Sequence, residues 1–139
     1  MIQQGAAAIA CLAVLALAPG AATPEHEIYY RYTVLGYVKD GAGKQRPGVE
    51  VELVREKTGF SYLGQTDPSG LYVIVVRLGD ESVGERLRVS AAGRSATLLA
   101  KFDPADHVRE RGTRVDFVGD KSVETPTAFA ATLRRLLEN

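Results

Sequence analysis

The sequence predicts an all-β domain, seven antiparallel strands stacked as a two-layer sandwich, with a short α-helix at the C-terminal end. Three observations predict it. From Ile28 to Val118 apolar and polar residues alternate with period two, the spacing of strands with one buried face. Glycine-bearing turns break that alternation at short intervals, as antiparallel chains require. After Asp120 the apolar spacing lengthens to that of a helix.

The chain before the domain reads as a leader. Gly5 to Ala18 is uncharged and rich in Ala, Leu, Ile and Val, Pro19-Gly20 breaks the run, and the small residues Ala21-Ala22 follow. That is the layout of a secretory signal peptide cleaved after Ala22, with residues 23–27 as a linker. A membrane anchor needs about 20 strongly apolar residues, and this run is shorter and mostly alanine. A lipid-attachment cysteine should end the apolar run, whereas Cys11 sits inside it. The processed protein is therefore expected in a bacterial periplasm or outside the cell, with no stable membrane span and no thiol.

The domain itself spans residues 28–118. In its first strand Ile28, Tyr30, Tyr32, Val34 and Val38 face one way and Tyr29, Arg31, Thr33, Leu35 and Tyr37 the other. Asp40-Gly41-Ala42-Gly43 turns the chain, and Val49, Val51 and Leu53 alternate with glutamates in a second strand. Lys57-Thr58-Gly59 turns it again into Phe60 to Thr66. Asp67-Pro68-Ser69-Gly70 fits a type I turn position by position: Asp accepts a backbone bond, Pro presets φ, and Gly suits the fourth place. Leu71 to Leu78 is apolar almost throughout and is expected to be covered on both faces or to lie at the sandwich centre. Leu87, Val89 and Ala91 alternate with polar residues, Ala92-Gly93 turns into Ala96 to Phe102, and Val115 and Phe117 mark the last strand. Seven strands in this length suit an immunoglobulin-like sandwich of roughly 100 residues. In the tail, residues 119–139, Phe129, Leu133, Leu136 and Leu137 form one stripe on a helix that starts near Pro126 or Thr127.

Three stretches carry a resemblance: Val34-Leu35-Gly36-Tyr37-Val38-Lys39-Asp40, Pro47 to Leu53, and Thr66-Asp67-Pro68-Ser69-Gly70-Leu71-Tyr72-Val73-Ile74. Together they resemble the carboxypeptidase regulatory-like family. The resemblance implies a transthyretin-like, or prealbumin-like, seven-strand sandwich. It also implies a non-catalytic accessory module, thought to aid folding or to bind.

Composition narrows the function classes. Lysine plus arginine number 17 and aspartate plus glutamate 17, so no net field draws nucleic acid. The two histidines are the only imidazoles. His26 lies in the linker. His107, in Asp103-Pro104-Ala105-Asp106-His107, suggests a metal, but clustered Asp and Pro are ordinary loop chemistry in which Asp103 or Asp106 caps a turn. No Gly-x-Ser-x-Gly elbow is present. Hydroxyisourate hydrolases resemble transthyretin but end in Tyr-Arg-Gly-Ser, unlike Leu136-Leu137-Glu138-Asn139. Intradiol dioxygenases hold iron with two Tyr and two closely spaced His, and here the histidines are far apart.

The expectation is thus a non-enzyme without cofactor or metal, a secreted or periplasmic module that binds or scaffolds a protein or an envelope glycan. Its alternatives are an accessory subunit of a separate envelope enzyme or transporter and, with low weight, a metal-dependent enzyme around His107. Two surfaces are candidates for partner binding. One is Tyr29, Leu35 and Tyr37 on the first strand. The other is the stripe of Phe129, Leu133, Leu136 and Leu137. Arg109, Arg111 and Arg114 read as a solvated loop and strand edge.

Overall fold

The computed structural model describes residues 28–138. The leader, the linker with His26 and its predicted cleavage point lie outside the described residues. The strands are β1 (Tyr30–Lys39), β2 (Glu50–Arg55), β3 (Phe60–Gln65), β4 (Leu71–Leu78), β5 (Arg86–Ala91), β6 (Arg94–Leu99), β7 (Arg111–Val118) and β8 (Lys121–Glu124). Short 3-10 turns at Asp80–Ser82 and Pro126–Ala128 precede β5 and the helix α1 (Phe129–Glu138).

Two four-stranded sheets form, ordered β4-β1-β7-β8 and β3-β2-β5-β6. The count is eight rather than seven. The added strand, β8, is four exposed residues that pair with β7 and carry no alternation to betray them. Pairing is antiparallel except between β1 and β7, which run parallel from Tyr32↔Arg111 to Lys39↔Val118. A chain that alternates regularly says nothing of which neighbour it runs beside, so this exception is invisible to period-two reasoning.

The inward side chains of both sheets meet in one core of Tyr32, Val34, Val38, Val51, Leu53, Tyr72, Ile74, Val76, Leu87, Val89, Val115 and Phe117. Tyr32 and Val34, not Thr33 and Leu35, are thus the core face of β1. At its centre the parallel ladder opens: the Tyr72 hydroxyl donates to Val115 O at 2.6 Å, and Asp116 Oδ1 accepts from Tyr37 N at 2.9 Å. Gly36 is what permits this, because a Cβ there would lie 1.8 Å from Val115 O. The predicted corner forms as read: Asp67 Oδ1 accepts from Ser69 N and Leu71 N, and Gly70 adopts φ +84°. Ala92 and Gly93, both at positive φ, make the two-residue turn between β5 and β6.

β4 departs from expectation. It is an edge strand, and Val73 and Val75 on its outer face are exposed. Its continuous apolar run therefore does not mean burial on both faces: Val73 and Val75 line a groove beside α1 and stay open to solvent. The helix crosses the outer face of the first sheet, held where Arg114 Nη1 donates to Thr132 Oγ1 at 3.0 Å. The ring of Phe129 sits over Gly112 so closely that a Cβ there would meet it at 2.5 Å. Among the described residues no helix is long and apolar enough to cross a membrane.

Candidate functional site

The loops at one end of the sheets bring together residues that are distant in sequence. The turn after β4 supplies Asp80, the loop before β7 supplies His107, and Tyr30 and Arg111 begin β1 and β7. Asp80 Oδ2 lies 2.8 Å from His107 Nε2, and Asp80 Oδ1 accepts from Arg111 Nη2 at 3.0 Å. The His107 ring stacks on Tyr30 with centroids 4.4 Å apart. The Arg111 guanidinium lies 4.8 Å from the Tyr30 ring centre and 4.1 Å from that of Phe102. Burial opposes ionisation of Asp80, but the hydrogen bonds from His107 and Arg111 hold its carboxyl below the ordinary range.

Arg111 corrects the reading of a solvated arginine run. Its side chain is only 6% exposed, and Nη2 also donates to Asp103 O and Asp106 O. Nη1 is buried without a hydrogen-bond acceptor and rests among aromatic faces instead. Arg114 is likewise engaged, by Asp116 at 3.0 Å. Arg109 alone of the three is highly exposed.

The two carboxylates nearest His107 in sequence do not turn toward it. Asp103 Oδ1 accepts from Ala105 N, and Asp106 Oδ1 accepts from Val108 N and Arg109 N, the capping of turns that the sequence suggested. Those backbone bonds, the Arg109 N–H first, keep the Asp106 carboxyl below its usual range. Among the described residues no three His, Cys, Asp or Glu side chains converge as metal ligands.

The two predicted partner surfaces fare differently. Leu35 is fully buried under the helix side of the sheet, Tyr37 is half-buried between Lys39 and Arg114, and Tyr29 is 46% exposed at the loop end. Of the three, only Tyr29 is exposed. In the stripe, Phe129 is buried, Leu133 and Leu136 are half-buried, and Leu137 is 72% exposed. Packing therefore takes up the inner part of the stripe and leaves its outer part on a cleft of about 580 Å³. Pro126, Phe129, Ala130, Leu133 and Leu137 wall that cleft, with Arg109, Glu110, Arg134 and Glu138 among its charged lining. Glu110 is paired with Arg31. A second groove of about 180 Å³ lies on the other side of the helix, between Leu136 and the exposed Val73 and Val75. Sequence reasoning missed Asp80, Tyr30 and Arg31 as site residues, and only the pairing of β1 with β4 and β7 puts them together.

No protein-family model and no curated protein matches this chain. Among solved structures, it is similar to chlorocatechol 1,2-dioxygenase from Pseudomonas putida, with TM-score 0.46 and 12% identity over 69% of this chain and 62% of that one. It is also similar to the dioxygenase domain of a dioxygenase carbohydrate-binding protein fusion from Streptomyces sp. SirexAA-E, with TM-score 0.47 and 18% identity over 70% and 84% of the two chains. Both are enzymes. They run against two expectations, of a non-catalytic module for a protein or glycan and of a chain that is not an enzyme, neither of which any comparison supports. Likeness at this level assigns no reaction and no substrate to the present residues.

Proposed function

We propose that this chain takes up a small amphipathic molecule, an apolar body ending in one anionic group, in the cleft beside α1. The observation that carries the reading is the cleft itself, about 580 Å³ and walled by side chains that would otherwise face water. Ligand cavities fall in the range of roughly 300–1,000 Å³ and combine apolar walls with a few polar groups. The sign of the polar end follows from the charges. Glu110 is neutralised by Arg31, and Arg109 reaches Asp106 only at 3.8 Å, which leaves Arg109 and Arg134 against Glu138.

Anilinonaphthalene sulfonate has this chemistry and serves as the probe. It is expected to bind one equivalent with a blue-shifted emission while the protein still melts cooperatively. Leu133→Glu should abolish the binding and Arg134→Glu weaken it several-fold. Emission unchanged by Leu133→Glu would remove the cleft as the site.

Two readings of the whole chain accompany this one. The close approach at Gly36 and the corner at Thr66 to Gly70 support a transthyretin-like arrangement of the carboxypeptidase regulatory-like type. The apolar leader supports export to a periplasm or the exterior. Amino-terminal sequencing of the protein from its native envelope is expected to begin at Thr23.

A further inference from the structure

We propose a second site, at the loop end of the molecule, for a small planar anion: an aromatic ring that carries a phosphate or carboxylate. Two adjoining cavities form it. One, of about 380 Å³, is lined by Tyr29, Tyr30, Arg31 and Arg77. The other, of about 180 Å³, shares Tyr30 and Arg31 and adds His107, Arg109, Glu110 and Arg111 to its walls.

The charges here do not balance as they do over the chain. Arg31 and Arg77 stand directly opposite each other on β1 and β4, a like-charge pair that disfavours the sheet. Arg31 is met by Glu110, but Arg77 has no ion-pair partner among the described residues. Other carboxylates at this end are engaged: Asp80 by His107 and Arg111, Asp106 by the Val108 and Arg109 N–H groups and the Arg109 side chain, and Asp103 by Ala105 N. An anion between the two arginines would relieve their repulsion and supply what Arg77 lacks. The preference for a ring comes from the stack. Arg111, Tyr30 and His107 already lie ring against ring, the His107 side chain is 44% exposed, and a further flat group extends the series.

Phenyl phosphate is the probe, titrated calorimetrically into the protein, with inorganic phosphate and benzyl alcohol as comparators. Phenyl phosphate is expected to bind about tenfold or more tightly than either comparator, and more weakly as salt rises. Arg77→Ala should lower the affinity about tenfold while melting at or above the parent, since it removes a repulsion and breaks no ion pair among the described residues. His107→Ala should erase the advantage of phenyl phosphate over phosphate. Equal binding of phenyl phosphate and phosphate, or an affinity untouched by Arg77→Ala, overturns the proposal. So does competition by anilinonaphthalene sulfonate that Leu133→Glu abolishes, which would place the probe in the helix cleft.

Discussion

At Gly36 a single methyl group has nowhere to go. The Val115 carbonyl occupies that space, and backbone cannot step aside as a flexible side chain can. Gly36→Ala is expected to destabilise the domain by about 3 kcal/mol or more, read as a midpoint shift in urea unfolding. Tyr72→Phe tests the same spot from the other side. It keeps the ring and removes the hydroxyl that donates to the buried Val115 carbonyl, so a loss of about 1–3 kcal/mol is expected. A variant as stable as its parent would mean that Val115 O finds water. These positions were legible in the sequence because a glycine inside a strand and a glycine closing Asp-Pro-Ser-Gly each announce a backbone need. Asp80 and His107 were not. Their contact spans 27 residues, and the carboxylates beside His107 in the chain were the natural but mistaken partners to consider.

Individual elements show a similar division. The helical stripe was readable from spacing alone, but which leucines it buries depends on the sheet beneath, and there Phe129 is the anchor. Phe129→Ala should cost about 3–5 kcal/mol, because it empties the space over Gly112 and frees the start of α1. Chemical denaturation measures it, and a loss below about 1 kcal/mol would mean that α1 is only loosely held. β4 misled for an opposite reason. Its unbroken run of apolar residues has the composition of a doubly covered strand, yet the sheet order leaves it at an edge. β8 was missed because its four residues are all exposed and only Val123 among them is apolar, which leaves no alternation to read.

For the molecule as a whole, a half-buried ion pair and two buried phenols set opposite limits of pH. Glu85, hydrogen-bonded to Arg55 at 2.8 Å, has its carboxyl held below the usual range, first by that hydrogen bond. Such a group stabilises the fold above the unfolded carboxyl value of about 4 and loses that contribution as pH falls further. Burial pushes the Tyr32 phenol up to about 12 and Tyr72 higher still. Unfolded phenols ionise near pH 10, so the folded state binds more protons above that point and stability should fall as pH rises from about 10. Urea midpoints measured at pH 3, 7, 9 and 11 are expected to be flat in the middle and lower at both extremes. The two-layer plan was legible as a whole from alternation and turns, while the order of strands within it was not. That order has a price in time. β1 takes one neighbour from β4 and the other, running parallel, from β7, which the ribosome finishes nearly eighty residues later. Until then a nascent chain offers one open flank of its first strand to any sticky neighbour, and sequence-distant pairing of this kind slows refolding toward milliseconds or seconds. A holdase that shields that flank would raise the yield of native protein more than any change at the surface.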